Sequence, residues 1–271
     1  MRFSLAPLAI AALTASIMST AAVAAEPVRV GGTGGAFGLL QRLGVAFSAS
    51  SGIKVVNVPS LGSGGGLRAL AENKIDVAVS GRALRPDEIA KGLAAVVTVR
   101  TPHFLVTSHR NPPGVKSDEV ASLYAKPDAT WADGSPVRIL LRPRSDSETD
   151  LMGELFPGMA QALEAARSRP DVPTAATDQD NGDLAERISG SLTGMTGTQL
   201  KMEGRRLRAV ALDGVEPTFA NYEKGAYRYG KKLYFVVKGA GSPDAGRFID
   251  FVRSSEGMKV LRETEVLPEA P

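Results

Sequence analysis

Residues 28–35 read V-R-V-G-G-T-G-G, residues 53–58 I-K-V-V-N-V, residues 61–70 L-G-S-G-G-G-L-R-A-L and residues 75–82 I-D-V-A-V-S-G-R. The spacing predicts strand, amphipathic helix, strand, second helix and third strand, each strand leaving through a loop of Gly, Ser or Thr. The first two of these loops open helices. Such loops bring backbone N–H groups, short hydroxyls and the positive end of a helix dipole to a common point, where an anion is stabilised. The pattern points to holding a small oxyanion rather than to making or breaking bonds.

Working outward, Val28–Val30 is the first strand, and Ala36, Leu40, Leu43 and Phe47 then recur at helical spacing until Gly52 closes the helix. Strand Ile53–Val58, helix Leu67–Asn73 and strand Ile75–Ser80 follow. Val96–Val99 and Phe104–Thr107 read as two further strands divided by Thr101-Pro102. From Arg110 the turn-rich R-N-P-P-G-V-K-S-D marks a crossing into a second lobe. In that lobe Val137–Leu141 and Leu207–Leu212 read as strands, and Thr149–Ser168 as a helix kinked or split at Pro157-Gly158. Pro170–Gly182 reads as a surface loop. The tail F-I-D-F-V-R-S-S-E-G-M-K-V-L has helical apolar spacing and is expected to pack back on the first lobe. Strand and helix alternate throughout, which is the mark of an α/β protein.

Residues 1–25 carry one charge, Arg2, then a largely apolar run and the small-residue end A-A-V-A-A. This reads as a signal peptide cleaved after Ala25. No other segment approaches the roughly 18 apolar residues that a membrane helix needs. A soluble periplasmic product is therefore expected. Cysteine is absent, which excludes disulfides, thiol catalysis, cysteine metal ligation and a lipid-anchored cysteine. Lys and Arg number 32, Arg2 of the leader among them, against 29 Asp and Glu. So even a balance argues against nucleic acid as a bulk electrostatic partner. The roughly 245 residues after the leader suffice for two modest cores or one large one.

Three segments in order carry a family likeness. L-G-S-G-G-G-L-R-A-L with K-I-D-V-A-V-S-G-R-A-L-R-P-D-E resembles the first lobe of the phosphate-binding proteins of bacterial ABC transporters. A-L-D-G-V-E-P-T-F-A-N-Y-E-K-G-A-Y-R-Y-G-K-K-L-Y-F-V-V-K is similar to that family's return segment, and F-V-R-S-S-E-G-M-K-V-L-R-E-T-E-V-L-P to its closing helix. The resemblance spans about Val28 to Pro268. It implies a two-lobed class II periplasmic-binding-protein fold, each lobe a mixed sheet flanked by helices, with the ligand in the cleft between. Residues 26–108 and 230–271 form the expected first lobe and 109–229 the second. Hinge closure of the lobes around the ligand is implied with the fold.

Carried over by motif, the first loop supplies Thr33, Gly34, Gly35 and Ala36, the second Ser63, Gly64 and Gly65, and the third Ser80 and Gly81. The second lobe should supply an arginine and a Ser-Gly-Thr turn that starts a helix. The corresponding stretch is R-P-R-S-D-S-E-T-D, residues 142–150. Ser147 and Thr149 match the hydroxyl positions, Glu148 stands where glycine is expected, and Pro143 takes the arginine position between Arg142 and Arg144. Either arginine is a candidate for that role. Gly81 stands where many phosphate binders have a carboxylate, the device that accepts the ligand's proton and repels fully ionised anions. Asp150 or Glu148 could replace it. A carboxylate at Glu148 about 4 Å from a dianion would oppose binding by several kcal/mol. Glu148 must then point away, be protonated, or signal another ligand.

The remaining polar features read structurally. His103 and His109, the only histidines, lack neighbours that would complete a metal site. Arg82 is placed to pair with Asp87 or Glu88. The acidic run Thr177–Asp183 faintly resembles a calcium loop, but its Gly is misplaced and Ser189 stands at the twelfth position. It reads instead as the cap of a helix starting near Leu184; the resemblance implies that this neighbourhood can approach the cleft, which makes Asn181 a candidate contact. The tyrosines around Tyr222–Tyr234 read as core and hinge packing. No G-x-S-x-G elbow, Ser-His-Asp set or metal cluster is present, so no catalytic residue, metal or cofactor is expected. The expected role is a monomeric solute-binding protein that hands phosphate or a related tetrahedral oxyanion to an inner-membrane ABC permease. The alternative is a sensory or adhesive exported protein of the same fold that no longer binds phosphate.

Overall fold

The computed structural model describes residues 26–59 and 61–269; the expected signal peptide at 1–25 lies outside them. In the first third of the chain β1 (Val28–Gly32), α1 (Phe37–Ser51), β2 (Val55–Asn57), α2 (Gly62–Ala71), β3 (Val77–Ser80) and α3 (Pro86–Ala90) alternate. Then come β4 (Leu93–Thr107), α4 (Val120–Ala125), β5 (Arg138–Ile139), α5 (Ser147–Leu155), α6 (Met159–Arg167), α7 (Asp178–Arg187) and β6 (Ser191–Thr196). The chain closes with α8 (Gly197–Met202), β7 (Arg208–Ala209), α9 (Phe219–Glu223), β8 (Gly230–Lys238), α10 (Pro243–Arg253), α11 (Ser255–Glu263) and β9 (Leu267–Pro268).

The strands run in the order β2-β1-β3-β8-β4-β6-β5, with β7 and β9 also on β4. The β2-β1-β3 and β5-β6 pairings are parallel and the rest antiparallel, so the sheet is mixed. Long β4 joins the two halves: Leu93–Pro102 pair with β8, and from His103 onward the partner becomes β6. Buried side chains fall into two large clusters. One draws on residues 28–99 and 233–266, with Phe47 and Phe248 rings 5.4 Å apart at its centre. The other draws on Phe104 to Tyr229 and Leu267. The molecule is thus two lobes sharing β4, and Phe104–Val106, ahead of the expected boundary at 108, pack in the second cluster.

Two expectations are corrected here. Thr101-Pro102 does not break the strand: β4 is continuous, because Pro102 stands at the last β8 pair, where β4 changes partner and a missing N–H is tolerated. The acidic run is helix rather than loop. α7 starts at Asp178 instead of near Leu184, since Thr177 Oγ1 accepts from Asp180 N at 3.0 Å and Asp180 Oδ2 accepts from Thr177 N at 3.1 Å. The helix expected over Thr149–Ser168 is split at Phe156–Gly158 into α5 and α6, with Gly158 at φ +76.

Candidate ligand site between the lobes

α2 is placed by close backbone packing. A Cβ on Gly66 would lie 2.6 Å from Gly32 Cα, so only glycine lets the helix seat on the end of β1. Leu61 N donates to Gly32 O at 3.1 Å, which fixes where the helix begins. Among the described residues no side chain caps α2. Its first-turn N–H groups are therefore open, and Gly62, Ser63, Gly64 and Gly65 line a cleft of about 590 Å³. Gly64 is not demanded by packing, since a Cβ there meets nothing within 4 Å. What its bareness gives is access to the helix terminus.

Across the cleft stand Arg142, Pro143, Ser145, Asp146, Ala176 and Thr177. Arg142 is 4% exposed. Its Nη1 donates to Ala175 O at 2.8 Å and its Nη2 to Asp146 Oδ2 at 2.6 Å, with Asp178 Oδ1 at 3.8 Å. Its Nε has no partner. Burial pushes the Asp178 carboxyl up against the pull of Arg142 and Lys231. Asp146 also caps α5, accepting from Glu148 N at 2.9 Å. The two lobes therefore differ: α2 offers an open positive terminus, whereas α5 satisfies its own with a carboxylate.

Ser63 bridges the lobes. Its hydroxyl accepts from Gly81 N at 2.9 Å and donates to Ser147 Oγ at 3.1 Å. Behind this contact Glu148 turns away from the cleft into the interior. There it meets His103 Nε2 through Oε1 and Lys231 Nζ, 2.9 Å away, through Oε2. Burial alone would push the Glu148 carboxyl up; the opposing charges of His103 and Lys231 outweigh it and hold the group well below the usual carboxylate range. Burial likewise opposes the Lys231 ammonium, but Glu148, Asp178 and Asp146 raise its pKa above the ordinary value. A Cβ on Gly81 would lie 2.7 Å from Lys231 Cε and 2.8 Å from Ser147 Oγ. The space that a side chain at 81 would fill thus belongs to Lys231.

Of the residues expected at the site, Ser63, Gly64, Gly65 and Arg142 line the cleft, and Ser147 and Gly81 touch it only through their hydrogen bonds to the Ser63 hydroxyl. The others lie elsewhere. Thr33, Gly34, Gly35 and Ala36 are buried beneath the second lobe, where Thr196 Oγ1 donates to Gly35 O at 2.9 Å and Gln179 Nε2 to Gly34 O at 3.1 Å. Ser80 Oγ donates to Arg82 O at 2.7 Å, a local turn. Thr149 is not part of the lining, and its Oγ1 donates to Pro143 O at 2.9 Å. Arg144 is exposed and pairs with Glu164, so of the two candidate arginines only Arg142 faces the cleft. Arg82 does line the cleft, but its guanidinium is paired with Glu88 at 2.7 Å. Asn181 binds Gly194 O and Thr193 within its own lobe.

Sequence reasoning missed Lys231. The signal was there: G-K-K-L-Y-F-V-V-K alternates, and a period of two puts Lys231 inward with Leu233 and Phe235 while Lys232 faces out.

A helix terminus uncapped among the described residues and a buried arginine line one cleft of a two-lobed α/β scaffold, an arrangement suited to holding a solute. The family model described as a PBP superfamily domain matches residues 19–256, and this chain belongs to that superfamily. No curated protein matches it in sequence. Solved structures do. A Clostridium perfringens protein described as a phosphate ABC transporter substrate-binding protein, with bound phosphate, is 19% identical at TM-score 0.76, covering 90% of this chain and 100% of that one. An ABC-type phosphate transport receptor from Vibrio cholerae is 14% identical at TM-score 0.63, covering 89% and 100%. PEB3 with bound L-phospholactate is 14% identical at TM-score 0.55, covering 89% and 100%. At these identities the likeness is one of fold.

Proposed function

We propose that this chain is an exported solute-binding protein that captures phosphate, or a related tetrahedral oxyanion, and delivers it to an inner-membrane ABC permease. The observation that carries the reading is the open N-terminus of α2, with Ser63, facing buried Arg142 across the cleft. Helix N–H groups, a hydroxyl and a guanidinium are the donor set that an oxyanion accepts from, and charge-assisted bonds of this kind are short and strong. Phosphate bound in the similar Clostridium perfringens structure supports the ligand class. The reading takes 26–108 with 230–271 as one lobe, 109–229 as the other, and the leader at 1–25 as the address to the periplasm. Binding needs no cofactor and no covalent step.

Isothermal titration of the ligand-free protein with phosphate, sulfate, molybdate and tungstate tests it. Micromolar or tighter binding of one of them, weakened about tenfold or more by Ser63→Ala, is expected. Silence for all four rejects it in favour of the second reading, a sensory or adhesive protein of the same fold. One observation favours that second reading: α5 caps itself with Asp146 and so offers the cleft no free N–H at Glu148.

A further inference from the structure

The cleft is larger than its anion-holding end requires. Its volume of about 590 Å³ lies in the range of small-molecule sites, far above a single tetrahedral oxyanion. From Ser63 it runs along one face of α2, past Gly64, Arg68, Ala71 and Glu72, to the ground between α2 and α3. Residues 64, 68, 71 and 72 share a helical face, so this is a continuous wall.

The charges along it are unbalanced. Each carboxylate on the lining already holds a cation: Glu72 pairs with Lys74, Asp87 with Lys91, Glu88 with Arg82 and Asp146 with Arg142. Arg68 and Arg85 also line the cleft, and neither forms a salt bridge among the described residues. Arg68 follows Ser63 by five positions, which places its backbone about 7–8 Å further along the helix axis. Arg142, buried at the near end, brings its guanidinium to the lining, with its Nε left without a partner among the described residues.

Resting on the oxyanion reading, we infer that the ligand is an organic phosphate ester or phosphonate carrying a second anionic group. Its tetrahedral end sits at the N-terminus of α2 beside Ser63 and Arg142, and its second anion meets Arg68 and Arg85. The intervening body lies over Gly64 and Gly65, where the absence of side chains leaves room.

The probes are inorganic phosphate, glycerol 3-phosphate and 3-phosphoglycerate, titrated into the ligand-free protein and into a variant carrying Arg68→Gln and Arg85→Gln. Both arginines are exposed, so the variant keeps the fold. The expected result is 3-phosphoglycerate binding about tenfold or more tighter than the other two, with that advantage lost in the variant. Phosphate binding as tightly as 3-phosphoglycerate overturns this inference and leaves the oxyanion reading standing. An advantage that persists in the variant overturns the assignment to Arg68 and Arg85. Failure of all three probes to bind overturns this inference, and the four-anion titration then decides whether the oxyanion reading stands.

Discussion

Lys231 Nζ lies 2.9 Å from Glu148 Oε2, both side chains buried, in elements 83 residues apart in the chain. The pair ties the start of α5 in the second lobe to the start of β8, with His103 of β4 on the other carboxylate oxygen. Glu148 is thereby spent on the interior, and the like-charge repulsion of ligand anticipated from its sequence position does not arise.

Removing one partner leaves an uncompensated buried charge. Lys231→Met or Glu148→Gln alone is expected to cost about 3–5 kcal/mol, and the double variant less than the sum of the two. Chemical unfolding of all three variants measures the coupling; strictly additive losses would show that the two groups do not act as a pair.

The pair also sets an acid limit. Glu148 has a folded pKa below its ordinary 4.5, so the folded state binds fewer protons than the unfolded one, and its contribution is complete above that value. It is lost as pH falls below 4.5 toward the folded value. Lys231 is raised above 10.5 and its contribution is lost only above that. Thermal unfolding from neutral pH to about pH 3 should therefore show the wild type losing its advantage over the double variant in the acid range. Parallel curves would contradict this.

Gly81 yields its space to Lys231. Gly81→Ala places a methyl 2.7 Å from Lys231 Cε and 2.8 Å from Ser147 Oγ, and such overpacking is expected to destabilise by about 1–3 kcal/mol. An unchanged unfolding midpoint would mean that the lysine stem shifts freely.

The two neighbouring arginines should separate cleanly. Arg142→Gln leaves Asp146 and Asp178 short of their cation in a buried setting, so both stability and anion affinity are expected to fall. Arg144→Gln removes an exposed pair with Glu164 and should change neither. Titration calorimetry and thermal melts on the two variants check this; equal effects would contradict the placement.

Much of the scaffold was legible in local pattern. The alternation of strand, glycine-rich loop and helix from Val28 to Arg82 follows from periods of 2 and 3.6, and Pro157-Gly158 correctly marked the split between α5 and α6. Two local signals misled. Pro102 signalled a break because its partner change on β4 is a sheet-level event. Helix α2 begins in glycines of poor helical propensity because the contact of Gly66 with Gly32 overrides propensity.

The sequence by itself determined the class of architecture and put the loop that holds Ser63 ahead of a helix, since strand, helix and turn signals are carried by neighbouring residues. Only the tertiary structure decided that Arg142 and not Arg144 faces the cleft, that Glu148 turns inward, and that Lys231 occupies the space Gly81 leaves empty. Those outcomes depend on β8 docking beside α5 and on which carboxylate each cation reaches once buried. Local spacing carries no information about either, because the partners meet only after both lobes have packed on the shared strand β4.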